Sequence, residues 1–236
     1  WIRYRGFITM HIIIANGPPF CGKDTITKHL LEYFKDAVWM RFKNVLYQET
    51  WTDLFVYDDK EEISLDEWIE ICNDVVLKDS PLPWNLEREE ILKWKECPEV
   101  YGNSLYCISP RQHLINKSEK DLKVKYGDGG VAVITSGYIK KIEDYINKIV
   151  IFSDGGFNVE INTLCEELGI SRKDMTVIRI DGILNTETGE LCNFNNDSRE
   201  YIENPDVTIF NDKSENFIKT IDTVIIPLIL ERIKNS

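Results

Sequence analysis

Apolar residues fall in two distinct rhythms along this chain. Residues 11–16, HIIIAN, form a β-branched run that ends on Gly17, the pattern of a buried strand. Ile26, Leu30, Leu31 and Phe34 then recur at helical spacing, which predicts a helix over 25–34. A second strand is predicted over 38–42, and a helix, regular or irregular, over 44–55. Ser64 and Glu67 have the spacing of a capping box, and Trp68, Ile71, Val75 and Val76 carry the helical face onward, so a helix is predicted over 64–77, before Pro81 and Pro83. A short charged helix over 87–97 ends at Pro98. Ser109 as N-cap and Pro110 as first helical residue open a helix that runs through Leu114 and Leu122 to Tyr126 and is closed by Gly127. Further helices are predicted over 131–146, over 160–168 before Gly169, and over 214–234, with strands over 149–153, 176–180 and 206–210.

Strands thus alternate with helices at both ends of the chain, and a largely helical block of about a hundred residues separates them. That order predicts an α/β fold of three layers, α/β/α, with a parallel sheet covered by helices on both faces. It is read as one domain over 10–236 that contains a mainly helical insertion over 43–146, preceded by an extension over 1–9. Ligands of such sheets bind beyond the carboxyl ends of the strands, so the loops after Asn16, Ser153, Ile180 and Phe210 are expected on one edge. There is no internal repeat and no low-complexity segment.

Composition narrows the function. The 236 residues, 43% hydrophobic and 29% charged, are those of an ordinary globular chain. A formal net charge of −12 argues against broad nucleic-acid binding, which needs a basic face to release counterions. The longest apolar runs fall far short of the ~20 residues that span a bilayer, so no membrane partner is expected. The six cysteines form no C-x-x-C pair and have no ligand spacing with the three histidines, which speaks for reduced thiols and a cytoplasmic location rather than zinc or disulfides. Residues 1–9 lack the apolar stretch of a signal peptide.

The chemistry gathers at Gly17–Lys23, GPPFCGK, which has the G-x-x-x-x-G-K spacing of a phosphate-binding loop between a predicted strand and a predicted helix. Such a loop points backbone N–H groups at a phosphate, the following helix adds its positive end, a glycine at Gly22 permits close approach, and Lys23 reaches the outer phosphates. Asp24 stands where the usual pattern has Ser or Thr and can bind Mg²⁺ directly or through water, while Thr25 keeps a hydroxyl in the loop. Pro18 and Pro19 remove two donors early in the loop, and Cys21 reads as a residue of compatible size within it.

GKDT after a strand resembles the deoxynucleoside monophosphate kinases encoded by bacteriophages and, more distantly, the adenylate-kinase-like P-loop kinases. Three further stretches agree in order: SPRQHLINKSEKDL over 109–122 resembles the substrate-side helix, IVIFSDGGF over 149–157 the strand ending in D-G-F, and DVTIFNDKSENF over 206–217 the strand and turn beside the donor base. The resemblance implies an NMP-kinase-like fold and ATP- and Mg²⁺-dependent phosphoryl transfer to a nucleoside monophosphate, a small-molecule nucleotide. The location would then be the cytoplasm of the infected host. It further implies a mobile lid over 181–205 whose arginines reach the transferring group.

Arg111 and Gln112, early in their helix, are candidates for the acceptor's phosphate and base; a surface ion pair and an exposed amide are the plainer readings. Arg41 ends the second strand on the ligand edge and is a candidate acceptor-phosphate ligand. Asp154 is a candidate for water-mediated Mg²⁺ binding or for capping the next turn. Arg199 is the stronger lid candidate and Arg179 the weaker, since strand arginines often pair with a carboxylate; between Asp181 and Pro205 only Arg199 is basic. Asn211 is placed beside the adenine. His29 and His113 read as surface or packing residues. Trp51, Trp68, Trp84 and Trp94 read as the core of the helical block, with an acceptor-binding wall or a homodimer contact as alternatives. Two other functions stay open: a P-loop kinase acting on another acceptor, such as a modified base in DNA, and a catalytically weak nucleotide-binding regulator.

Overall fold

The β-branched run at 11–16 forms strand β1 (His11–Asn16), with all six residues buried. The structure, a computed structural model, describes residues 10–18, 20–57, 60–83, 86–98, 107–154, 157–184, 191–192 and 202–235. Helix α1 (Lys23–Tyr33) starts two residues before the apolar spacing predicts, because Gly22, in a left-handed conformation at φ 108°, turns the chain straight into it. Strand β2 (Val38–Met40) is shorter than the predicted strand. The Phe42 N–H donates to Asp154 Oδ1 at 3.0 Å, and with a carboxylate at that N–H the chain enters helix α2 (Phe42–Phe55). A short antiparallel hairpin follows, β3 (Val56–Tyr57) with β4 (Lys60–Glu61).

Helix α3 (Leu65–Asn73) is capped by Ser64, whose Oγ accepts from Glu67 N–H at 3.2 Å as the capping spacing predicts. It stops short of residue 77: Asp74 is extended, and its Oδ1 takes the N–H groups of Val76 and Leu77, both at 2.8 Å. Helices α4 (Arg88–Glu96) and α5 (Pro110–Asn116) follow, the latter with Ser109 as N-cap accepting from Gln112 N–H. A π-turned stretch, Lys117–Leu122, carries α5 into α6 (Lys123–Tyr126), which Gly127 ends at φ 79°. Helix α7 (Gly130–Lys140) does not reach the predicted 146. The chain tightens through an Ile142 N–H to Ile139 C=O bond of 2.9 Å, then turns at left-handed Asp144, φ 56°.

Strand β5 (Ile149–Phe152) and helix α8 (Asn158–Leu168), closed by left-handed Gly169, come next. Strand β6 (Met175–Leu184) runs past the predicted end at 180, because an irregularity between Ile180 and Ile183 and Gly182 at φ 154° keep it in the sheet. Short β7 (Leu191–Cys192) pairs antiparallel with its end. The chain finishes in β8 (Val207–Asn211), α9 (Glu215–Thr220) capped by Ser214, a π-turned stretch Ile221–Ile225, and α10 (Ile226–Asn235).

Five strands make a parallel sheet in the order β2-β5-β1-β6-β8, flanked by helices, as the alternation predicts. Two compact units emerge: one holds the chain up to Phe42 and from Ala132 onward, the other Lys43–Val131. In the first, the period of two along the strands turns Ile13, Ile151, Ile178, Ile180 and Ile209 toward Ile26 and Leu30 of α1 and Ile226 and Ile229 of α10. Each fully buried side chain of this kind contributes roughly 1.5–3 kcal/mol. The second unit has its own core around Trp68 and Trp94, both fully buried, with Trp51 packed against it. Trp68 donates from Nε1 to Thr50 Oγ1 at 3.0 Å; of the four tryptophans predicted as core, Trp68 and Trp94 are core, Trp51 is partly buried at its edge, and Trp84 lies outside the described residues. Cys21, Cys72, Cys97, Cys107 and Cys165 are free thiols. Among the described residues no helix is long and apolar enough to cross a membrane.

Candidate functional site

The sheet order places β1 between β5 and β6, where successive connections leave in opposite directions, and the 17–23 loop leaves its carboxyl end. Two glycines shape the loop sterically. Gly17 has φ 151°, and a Cβ there would stand 2.5 Å from the Ile180 carbonyl oxygen and 2.9 Å from Cys21 Sγ. A Cβ on Gly22 would stand 2.5 Å from Asn211 Nδ2 and 3.2 Å from the Phe217 ring. Asn211 braces the loop: its Nδ2 donates to the Cys21 carbonyl at 2.9 Å while its Oδ1 accepts from Lys213 N–H at 2.8 Å.

The first turn of α1 has no side-chain cap on its N–H groups, so the N–H groups of Lys23, Asp24 and Thr25 stand at the helix's positive end. Lys23 folds over the loop and donates to the carbonyls of Gly17 at 2.7 Å and Pro18 at 2.6 Å. Cys21 is fully buried, and burial pushes its thiol above its ordinary pKa, so it is a packed rather than a reactive cysteine. Phe20, at φ 63°, is 91% exposed on the loop tip.

The loop's dependence on Gly17 is directly testable. Gly17→Ala imposes a strained φ and drives a Cβ into a backbone carbonyl that cannot swing aside. The two effects together are expected to cost about 2–5 kcal/mol. Thermal unfolding should show a lower midpoint, whereas Gly137→Ala, where a Cβ meets nothing within 4 Å in α7, should be neutral or slightly stabilising.

Beside the loop lies a polar network that links β2, β5 and α1. Arg41 donates from Nε to Ser153 Oγ at 2.9 Å and from Nη2 to Asp24 Oδ1 at 2.7 Å. Its guanidinium carbon lies 4.4 Å from the centre of the Trp39 ring, and Trp39 Nε1 donates to the same Ser153 Oγ at 3.0 Å. Asp154 Oδ1 accepts from the Phe42 N–H at 3.0 Å, so it caps the start of α2 rather than the turn that follows it in the chain. Gly17, Cys21, Gly22, Lys23, Asp24, Thr25, Arg41, Asp154 and Asn211 thus all belong to the sheet-bearing unit.

Other predicted residues are engaged elsewhere. Arg179 pairs with Asp181 through Nε, the plainer reading for a strand arginine. Arg111 and Gln112 belong to the second unit; Arg111 pairs with Asp79 at 3.2 Å, and Gln112 Nε2 donates to Asn116 Oδ1 at 3.1 Å. Arg199, with most of 181–205, lies outside the described residues. His29 pairs with Asp222 at 2.7 Å, and burial lowers the pKa of His113. Ser153 and Trp39 were missed by sequence reasoning. Position was the available signal for Ser153, the residue just before Asp154 on the ligand edge.

Among the described residues no three His, Cys, Asp or Glu side chains gather to hold a metal ion on protein ligands alone. No family model matches the chain, and no curated protein matches it.

Proposed function

We propose that the protein is an ATP-dependent phosphotransferase of the P-loop, NMP-kinase-like class, whose acceptor is a ribo- or deoxynucleoside monophosphate. The observation that carries the reading is the glycine-shaped loop between the central strand β1 and helix α1, with Lys23 folded across it and Arg41 at the end of β2. Phosphoryl transfer asks for in-line positioning and positive charge more than for covalent chemistry, and these are the groups such a site supplies. The loop N–H groups and Lys23 would hold the donor phosphates. Asp24, Thr25 and Asp154 are the oxygen donors that would hold Mg²⁺ in its hydrated form, and the ion would neutralise charge between the phosphates. The phage-enzyme resemblance of GKDT points the acceptor toward deoxynucleotides.

A panel of all common ribo- and deoxynucleoside monophosphates, assayed with ATP and Mg²⁺ for diphosphate formation, tests this. One base or sugar class should turn over well above the others, and silence across the whole panel would remove the kinase reading. A second reading has its own support: Arg111, the candidate for the acceptor's phosphate, and Arg179, the weaker lid candidate, are paired with Asp79 and Asp181. ATP binding without turnover would favour that catalytically weak nucleotide-binding regulator.

A further inference from the structure

We infer that Asp24 is an internal anion that occupies the phosphate-receiving edge of Arg41 and gives way when a phosphate arrives. The inference rests on the functional reading above for its biological sense, but its geometry is independent of turnover. Three groups hold the guanidinium: Ser153 Oγ accepts from Nε at 2.9 Å, the Trp39 ring lies 4.4 Å from Cζ, and Asp24 Oδ1 accepts from Nη2 at 2.7 Å. The first two are anchors of different character from the third. Ser153 is 2% exposed and is shared with Trp39 Nε1 at 3.0 Å, so it is fixed by two donors on one hydroxyl. The Asp24 side chain is 62% exposed, against 23% for Arg41.

An ion pair so open to water adds little net affinity, no more than about a fivefold preference, so a competing anion can displace it. A phosphate monoester carries about −1.5 to −2 charges at neutral pH and several acceptor oxygens, and a guanidinium takes two of them at once. Asp24 offers one oxygen in its bond to Nη2. Phosphate therefore replaces Asp24 on the Nη edge while Ser153 and Trp39 keep the guanidinium in place. Asp24 is in this sense a positioning residue. It aligns Arg41 before ligand arrives, and the cost is a modest competition with that ligand.

The two kinds of contact predict effects of opposite sign. Inorganic phosphate is titrated into the full chain while NMR follows the Arg41 Nε–H, the Trp39 Nε1–H and the Asp24 carboxylate carbon. All three signals should move along one saturation curve, since release of Asp24 accompanies occupation of Arg41. Asp24→Asn should lower the half-saturating phosphate concentration by about two- to fivefold. Ser153→Ala should raise it, because the Nε anchor is lost. Unfolding curves of both variants confirm that each is folded before the comparison. The inference is overturned if Arg41 responds while the Asp24 carbon does not, if Asp24→Asn leaves binding unchanged or weaker, or if phosphate moves none of the signals. None of these readouts uses turnover, so a chain inactive as a kinase can still pass, and an active one can still fail.

Discussion

Lys23→Ala is expected to reduce ATP-dependent phosphoryl transfer by about 10²–10³-fold, the range for removing one preorganised donor from a charge-stabilising site. The ammonium lies 2.7 Å from the Gly17 carbonyl and 2.6 Å from the Pro18 carbonyl. Backbone held by glycine sterics at both ends of the loop fixes those carbonyls. In the proposed reaction a cation tethered there would stabilise the negative charge that redistributes on the transferring phosphoryl group. Folding should be nearly untouched. The two carbonyls freed by the substitution lie at a part-buried loop that water can reach, so the stability change should stay near about 1 kcal/mol. Initial rates at saturating ATP, paired with thermal unfolding of the same preparation, separate the two effects. A variant that keeps the parent rate would show that the transferred group does not pass beside Lys23. A variant that loses rate and stability in proportion would make Lys23 a structural brace of the loop.

That contrast also explains which features were readable from sequence. The loop was legible because steric necessity and charge fix its residues: a Cβ at Gly17 or Gly22 collides at 2.5 Å, and no other side chain satisfies those positions. The parallel sheet was legible from the apolar run of β1 and the alternation of strands and helices. The Asp24–Arg41–Ser153 network was not, since it depends on β2 pairing with β5 rather than with β1. Sheet order brings together residues far apart in the chain, and no local pattern encodes it. Helix ends were misjudged where apolar residues continued the helical period without being buried. Val75 and Val76 are 78% and 60% exposed, and the Asp74 carboxylate, not the apolar pattern, decides where α3 stops. Asn211 stands on the predicted edge and also braces the loop. Its Nδ2 donates to the Cys21 carbonyl at 2.9 Å, a contact between the final strand and the loop that no local pattern announces.

Stability is expected to fall as the pH drops from 6.5 toward 4, chiefly through a buried histidine at the opposite end of β1 from the loop, His11, whose pKa is lowered to about 4. His11 is fully buried; its Nε2 is 2.9 Å from Thr176 Oγ1, and its Nδ1 has no hydrogen-bond partner among the described residues. Burial disfavours the imidazolium most, and the positive charge of Arg232 acts in the same direction, while Asp174 and Asp206 oppose them more weakly; the result is a pKa lowered from 6.5 to about 4. The unfolded chain therefore binds a proton near 6.5 that the folded chain refuses until about 4. Between those values the unfolded state holds more protons, so stability rises with pH there and is lost as pH falls. The full contribution is present above 6.5 and amounts to something on the order of 3 kcal/mol. Carboxylates with lowered pKa values lose their contribution only at lower pH, among them Glu67, where partial burial is outweighed by Lys95 and Arg88; His113, whose pKa burial also lowers, adds to the slope of His11 in the same direction. Urea unfolding at half-unit steps across this window and up to neutrality should give a slope in the parent protein that His11→Asn largely removes. An unchanged slope in the variant would place the sensitivity elsewhere. A flat parent profile would mean that His11 can be charged within the fold, with Asp174 and Asp206 stabilising it more than burial opposes it.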